Sequence, residues 1–237
     1  MTHATIKPTD RFVKEYHTVG LVVRIWVVAT ASQPATPKGA ATRAFLLQTA
    51  AEVFAERGYA DTTMAELIAR SGLTKGAFYF HFASKEQLAL AVVDEKQRQW
   101  LASVETAVGN EPTALARLRA LGPALVRLHR EDPSAFSVSR LARDLARVPG
   151  AAELVRGHMR SWVALVAAVI AHAQADGDLP GDIDPGDTAA VLVAAADGLK
   201  DLSDLIDPPG RARRGYERRM AALARIVDAL TETAARH

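Results

Sequence analysis

Cysteine is absent from the chain, which excludes a disulfide framework and any thiolate metal site. Aromatic residues make up only 6%, while Ala and Leu dominate and Gly and Pro gather between periodic segments, a composition that favours an all-helical protein. Neither sign of charge prevails: the formal net charge is +2, too small an excess to announce nucleic-acid binding unless the basic residues are placed for it. Patterns of catalysis are missing as well. There is no H-E-x-x-H or H-x-x-E-H, no G-x-S-x-G elbow and no Gly-rich phosphate loop. His158 and His172 fall on one expected helix fourteen residues apart, too far to chelate one metal unaided. The acidic run Asp176, Asp178, Asp182, Asp184 and Asp187 lacks the terminal Glu of a calcium loop and reads as a solvated connection carrying helix caps. Neither an enzyme nor a metal nor a cofactor is expected.

Residues 20–32 form an apolar run after Lys7, Arg11 and Lys14, as an export signal would, but Arg24 interrupts it. Residues 1–39 are otherwise unlike the rest. Disorder, or a natural start lying downstream, is the expectation for them, with a short strand or helix packed on the body as the alternative.

What the chain has in quantity is helical periodicity. Residues 41–57 place Leu47, Ala50, Ala51 and Phe54 on one face and end at Gly58. Residues 112–130 align Leu115, Leu118, Leu121, Leu125 and Leu128, and residues 134–147 form another helix. Residues 151–176 align Val155, Met159, Trp162, Val166 and Val169 or Ile170. Residues 184–206 start at Asp184 as N-cap with Pro185 after it, and residues 214–234 point Tyr216, Met220, Leu223, Val227 and Leu230 inward. Breaks are expected at residues 131–133, 148–150 and 208–210. With a long helix over 84–108 and two short helices between 62 and 85, nine helices are predicted and no strand.

Those two short helices organise the rest. Thr63 and Glu66 have the spacing of a capping box, in which Thr63 accepts from the Glu66 N–H and Glu66 reaches back. Met64, Leu67 and Ile68 make one apolar side. Gly72 ends the helix, since it takes a positive φ without steric cost, and Leu73 plugs the corner. Thr74 caps the second helix, which presents Lys75, the small Gly76 and Ala77, Tyr79 and His81. Ser84 caps the next helix with Gln87 as its box partner, and free N–H groups beside Lys85 would suit a phosphate. The pattern is helix, turn, helix, whose second helix enters the major groove.

The run G-Y-x-x-T-T-x-x-x-[LI]-[IA] at 58–69, followed by S-G-L-T-K-G-A-F-Y-F-H-F-x-S-K-E-x-L, resembles the DNA-binding domain of the TetR family of bacterial repressors over residues 43–90. Within that family it is more similar to the γ-butyrolactone receptors of actinomycetes than to the tetracycline-binding members. The resemblance implies a three-helix DNA-binding domain over residues 40–86 and a helical ligand-binding and dimerisation domain over 87–237. The candidate DNA contacts are Arg43, Thr62, Thr63, Thr74, Lys75, Gly76, Ala77, Tyr79, His81 and Lys85; for Arg43 a merely solvated cation at a helix start is the alternative. The candidate effector site is Trp162, because a corresponding tryptophan lines the lactone site of the resembled receptors, with Leu121, Leu125, Phe136 and Val166 as wall residues. Simple core packing is the alternative for these five. Arg140, in S-R-L-A-R-D, resembles a segment near that site, or is a solvated arginine.

The last two long helices carry Val191, Leu192, Ala195, Leu199 and Leu202 with Ala194, Gly198 and Ala222, apolar beyond one stripe, so a second partner is needed. By the resemblance that partner is the same pair of helices in a second subunit. The expectation is therefore a cytoplasmic, nucleoid-associated homodimer, with no membrane partner, that holds a palindromic duplex operator and leaves it when a small apolar effector binds. The long helix over 84–108 would act as the lever between the two events. Lactone or butenolide signals, and control of antibiotic synthesis, are what the resemblance implies. A sensor of drugs or biosynthetic products, or a ligand-free architectural DNA-binding protein, are the rivals.

Overall fold

The computed structural model describes residues 11–18, 21–28, 36–131, 134–148, 151–208 and 210–234. The expected breaks at 132–133, 149–150 and 209 lie outside the described residues, as do residues 1–10 and 29–35. Nine helices run among the described residues: α1 (Pro37–Asp61), α2 (Met64–Ser71), α3 (Lys75–His81), α4 (Lys85–Val108), α5 (Ala114–Glu131), α6 (Ser134–Leu145), α7 (Ala152–Ala175), α8 (Pro185–Ile206) and α9 (Ala212–Ala234). The helical class holds, with one departure. β1 (Arg11–Thr18) and β2 (Leu21–Val28) pair into a two-stranded sheet within the segment expected to be disordered. Both stretches are rich in β-branched and aromatic residues, and only Val19 and Gly20 separate them, a length that suits a tight hairpin.

Two compact units emerge. Beyond residue 23 the first comprises residues 24–100 and 132–158, and the second 101–131 and 159–237. The first unit is larger than the 40–86 domain expected from the motif, because α6 packs along α1. Leu141 and Leu145 of α6, with Ala151 and Leu154 beyond it, join Leu46, Val53 and Phe54 of α1, Leu67 of α2, Phe78 of α3, and Leu88 and Val92 of α4 in one buried cluster. Each Leu, Val or Phe side chain among them contributes about 1.5–3 kcal/mol by leaving water. The helix α1 is interrupted at Gly58, whose φ of 80° and ψ of 170° only glycine adopts readily, so the chain turns there before Thr62.

In the second unit α9 packs on both α5 and α8. Arg130 of α5 grips Glu217 of α9 with two bonds, of 2.6 and 2.8 Å, and Arg219 holds both Asp207 and Ser203 at the end of α8. Asp184 caps α8 by accepting from the Asp187 N–H at 2.8 Å. The helix α7 is long and apolar enough to cross a membrane by length and composition, but Trp162, Leu165, Val166, Val169, Ile170 and Ala173 are buried, as in a core helix. Met159, expected on the inward stripe, is 46% exposed. The buried face also takes in Leu154, His158, Ser161 and Leu165, beside the expected Trp162, Val166, Val169 and Ile170.

Candidate nucleic-acid interface and ligand cavity

Local hydrogen bonds set the turn between α2 and α3. Thr63 accepts from the Glu66 N–H at 3.2 Å and Thr74 from the Ala77 N–H at 3.2 Å, so both short helices start on hydroxyl caps. Gly72 has φ 66° and ψ 6°, the left-handed cap, and its N–H donates to the Ala69 carbonyl. The Ser71 hydroxyl donates to the Ile68 carbonyl at 2.8 Å and accepts from the Leu73 N–H at 3.2 Å, which seats Leu73 against the core.

Phe78 is 1% exposed and anchors α3 from below. Thr74, Lys75, Gly76, Ala77 and Tyr79 then all face solvent, with the Lys75 ammonium 6.0 Å from the centroid of the Tyr79 ring. Phe80, which the sequence reading passed over, is 79% exposed beside them, and His81 meets it edge-on at 5.2 Å. The signal was available, since a helix as short as α3 that buries Phe78 must turn Phe80 outward. The His81 imidazole is held below its ordinary pKa, by burial first and by the Arg43 cation second, which favours the neutral ring at pH 7.

Four expected roles change in the structure. Thr62 is 1% exposed and donates its hydroxyl to the Gly58 carbonyl at 2.7 Å, so it closes the end of α1 and cannot reach a phosphate. Lys85 buries its ammonium against the end of α1, donating to the carbonyls of Tyr59 and Thr62 at 2.8 Å each and lying 4.4 Å from the Tyr59 ring centroid. Burial lowers its pKa, and its charge serves orphan carbonyls at the end of α1. Arg43 lays its guanidinium over Phe82 at 5.1 Å and is half-buried, its pKa lowered by that burial. It braces the first unit; the exposed edge expected for a phosphate contact is not what it presents. Glu66 turns to Arg57 at 2.7 Å and so leaves the capping box half made. At α4 Ser84 accepts from the Gln87 N–H at 3.1 Å, while Gln87 reaches one residue past the cap and accepts from the Ala83 N–H at 2.7 Å.

The second unit holds an apolar cavity that opens to solvent. Trp162, Leu121, Leu125 and Val166 line it together, with Leu118 and Gly122 of α5, Leu192, Val193 and Ala196 of α8, and Met220, Leu223, Ala224 and Val227 of α9. Arg119 is the one charged residue among the described lining residues. The sequence reading missed the α8 and α9 walls and Arg119, because their convergence depends on how four helices pack. Arg140 does not join them. It is exposed on α6 in the first unit, where a Cβ on Gly58 would lie 3.5 Å from its Nη2. The Phe136 side chain lies outside the described residues.

A glycine-turned helix pair with an exposed, capped second helix, beside a separate helical unit containing an apolar chamber, defines a helix-turn-helix regulator. Residues 46–92 match the bacterial regulatory proteins of the tetR family, and residues 114–218 match the tetracyclin repressor-like C-terminal domain. The chain belongs to the TetR family. It is 30% identical over 159 residues to the A-factor receptor protein of Streptomyces griseus, covering 67% of this chain and 54% of that protein, so the chain spans about half the length of this relative. A solved structure concerned with control of antibiotic production by bacterial hormones is 31% identical, with a TM-score of 0.67, covering 80% of this chain and 97% of that one. A solved γ-butyrolactone receptor, described as ArpA-like, is 29% identical with a TM-score of 0.53, covering 78% and 98%.

Proposed function

We propose that the chain is a transcriptional repressor that occupies a palindromic operator as a homodimer and releases it when a γ-butyrolactone or butenolide-type molecule enters the cavity. The observation that carries this reading is the pairing of an exposed α3 face, from Thr74 to Tyr79, with a Trp162-lined apolar cavity in a separate unit. Lys75 and Tyr79 supply donors for base edges or phosphates, and Phe80 offers an apolar surface for a thymine methyl group. Thr63, Gly76, Ala77 and His81 stay in the proposed contact set as neighbours that let the duplex approach closely. The apolar lining around Trp162, with a single charged residue among the described lining residues, favours a ligand-responsive regulator over a ligand-free architectural protein.

Dimerisation is proposed through α8 and α9. Val191, Ala194, Gly198, Leu202 and Leu205 recur at helical spacing along α8 and are all exposed, with Leu205 at 83%, and Ile226 of α9 is exposed at 58%. Nothing lies within 4 Å of where a Gly198 Cβ would stand, so another helix can approach closely there. A two-fold pair of α3 helices requires half-sites about one helical turn apart or a multiple of it. The helix α4, unbroken from Lys85 to Val108, is the proposed lever. The work is done in the cytoplasm, at the nucleoid. Replacing Trp162 with Ala should leave operator binding intact in a mobility-shift titration but abolish release by added lactone; normal release would return Trp162 to a purely packing role.

A further inference from the structure

Polar groups of α9 converge on the one charged residue among the described lining residues of the cavity. Arg119 places Nε 3.0 Å from Asp228 Oδ1, and its Nη2 donates to the Thr231 hydroxyl at 2.9 Å. Thr231 is 5% exposed and donates onward to the Asp228 carbonyl at 2.9 Å, so the guanidinium is braced from α9 by a fixed pair. Nη1 is left without a hydrogen-bond partner among the described residues. Pro123 stands inside α5 and has no N–H, which deprives the main-chain carbonyl of Arg119, four residues earlier, of its helical donor. Gly122 lines the cavity alongside Arg119 and has no side chain to cover that carbonyl. The Nη1 donor and the carbonyl that Pro123 leaves without its i+4 donor thus belong to one residue that lines the cavity. The Arg119 and Asp228 side chains are 38% and 46% exposed, which puts this polar spot toward solvent, while Trp162 and Val166 are buried.

We propose that Arg119 is the specificity-determining anchor of the cavity. Its Nη1 donates to a carbonyl oxygen at the head of an otherwise apolar ligand, and its main-chain carbonyl accepts from a hydroxyl carried beside that oxygen. Asp228 already balances the guanidinium charge, so a neutral oxygenated head fits better than a second carboxylate, which would compete for the same cation. The inference rests on reading the cavity as the effector site and adds the chemistry of the ligand's head.

Three probes sharing one skeleton test it: hexylcyclopentane, γ-decalactone, and γ-decalactone bearing a ring hydroxyl. Affinity is read by tryptophan fluorescence and ligand-observed NMR on the full chain. The wild type should bind the lactone at least tenfold more tightly than the hydrocarbon, and the hydroxylactone more tightly again, since a hydrogen bond to a charged group is worth roughly ten- to a hundredfold. Arg119→Met should erase the preference for lactone while still binding hexylcyclopentane, which shows that the cavity is intact. Pro123→Ala, by restoring a helical donor to the Arg119 carbonyl, should erase only the advantage of the hydroxyl. An Arg119→Met variant that still prefers the lactone, or a wild type that binds none of the probes, overturns the anchor. Pro123→Ala with the hydroxyl advantage unchanged overturns the main-chain contact. Operator release is a separate readout: discrimination without release defeats the signal-responsive reading and keeps the anchor, whereas release without discrimination does the reverse.

Discussion

The turn between α2 and α3 and the cavity of the second unit are built on different length scales. At the turn, Thr63, Ser71, Gly72 and Thr74 fix the backbone through bonds to residues three or fewer positions away. The cavity draws its walls from four helices, between Leu118 and Val227. A site made of local caps is rigid and predisposed to hold one exposed face, as a surface that reads a duplex must. A site made of long-range packing can rearrange when one helix shifts, as a switch must.

The sharpest way to break that contrast is on α3 itself, where Phe78 is buried and Phe80 exposed. Phe78→Ala should cost about 3–5 kcal/mol in urea unfolding. Phe80→Ala should leave stability within about 0.5 kcal/mol and lower only operator affinity. The next contrast is between two lysines. Lys75→Ala should weaken operator binding by about 1–3 kcal/mol in mobility-shift titrations and reduce the salt slope by about one, with stability unchanged. Lys85→Met should instead lower stability by about 1–3 kcal/mol, because the Tyr59 and Thr62 carbonyls lose their donor. If Lys85→Met left thermal unfolding unchanged, the capping role would be wrong. Gly72→Ala should cost about 1 kcal/mol from backbone strain alone, since nothing lies within 4 Å of the added Cβ.

The smallest expected effect is on pH. Burial lowers the folded-state pKa of His81 and of His129, so the unfolded chain binds more protons just below pH 6.5. Stability should be fully present above that pH and fall as pH drops through the lowered folded-state values. His81→Gln and His129→Gln should each flatten the fall in the urea midpoint between pH 7.5 and 5.5.

The same difference in length scale decides how much the sequence could say. Thr63, Gly72, Thr74, Ser84 and Asp184 act through their own neighbours, and their spacing gave the caps, the turn and the helix starts directly. Trp162, Leu121, Leu125 and Val166 were placed on the correct faces by periodicity and do share the cavity. The partners of Lys85 and Thr62 were not legible because they sit on the end of α1, which only folding brings beside them. Arg140 was misplaced because α6 packs on α1, a pairing no local pattern announces. The buried approach of His158 to Asp94, at 3.3 Å, was invisible for the same reason.

The most direct test of the central claim is selection of bound duplexes from a random-sequence pool at about physiological salt, with the wild type and Lys75→Ala in parallel. The account predicts that the wild type enriches a two-fold palindrome, that Lys75→Ala recovers it weakly, and that lactone elutes it. Enrichment of no common sequence, or of one whose recovery ignores Lys75, would contradict it.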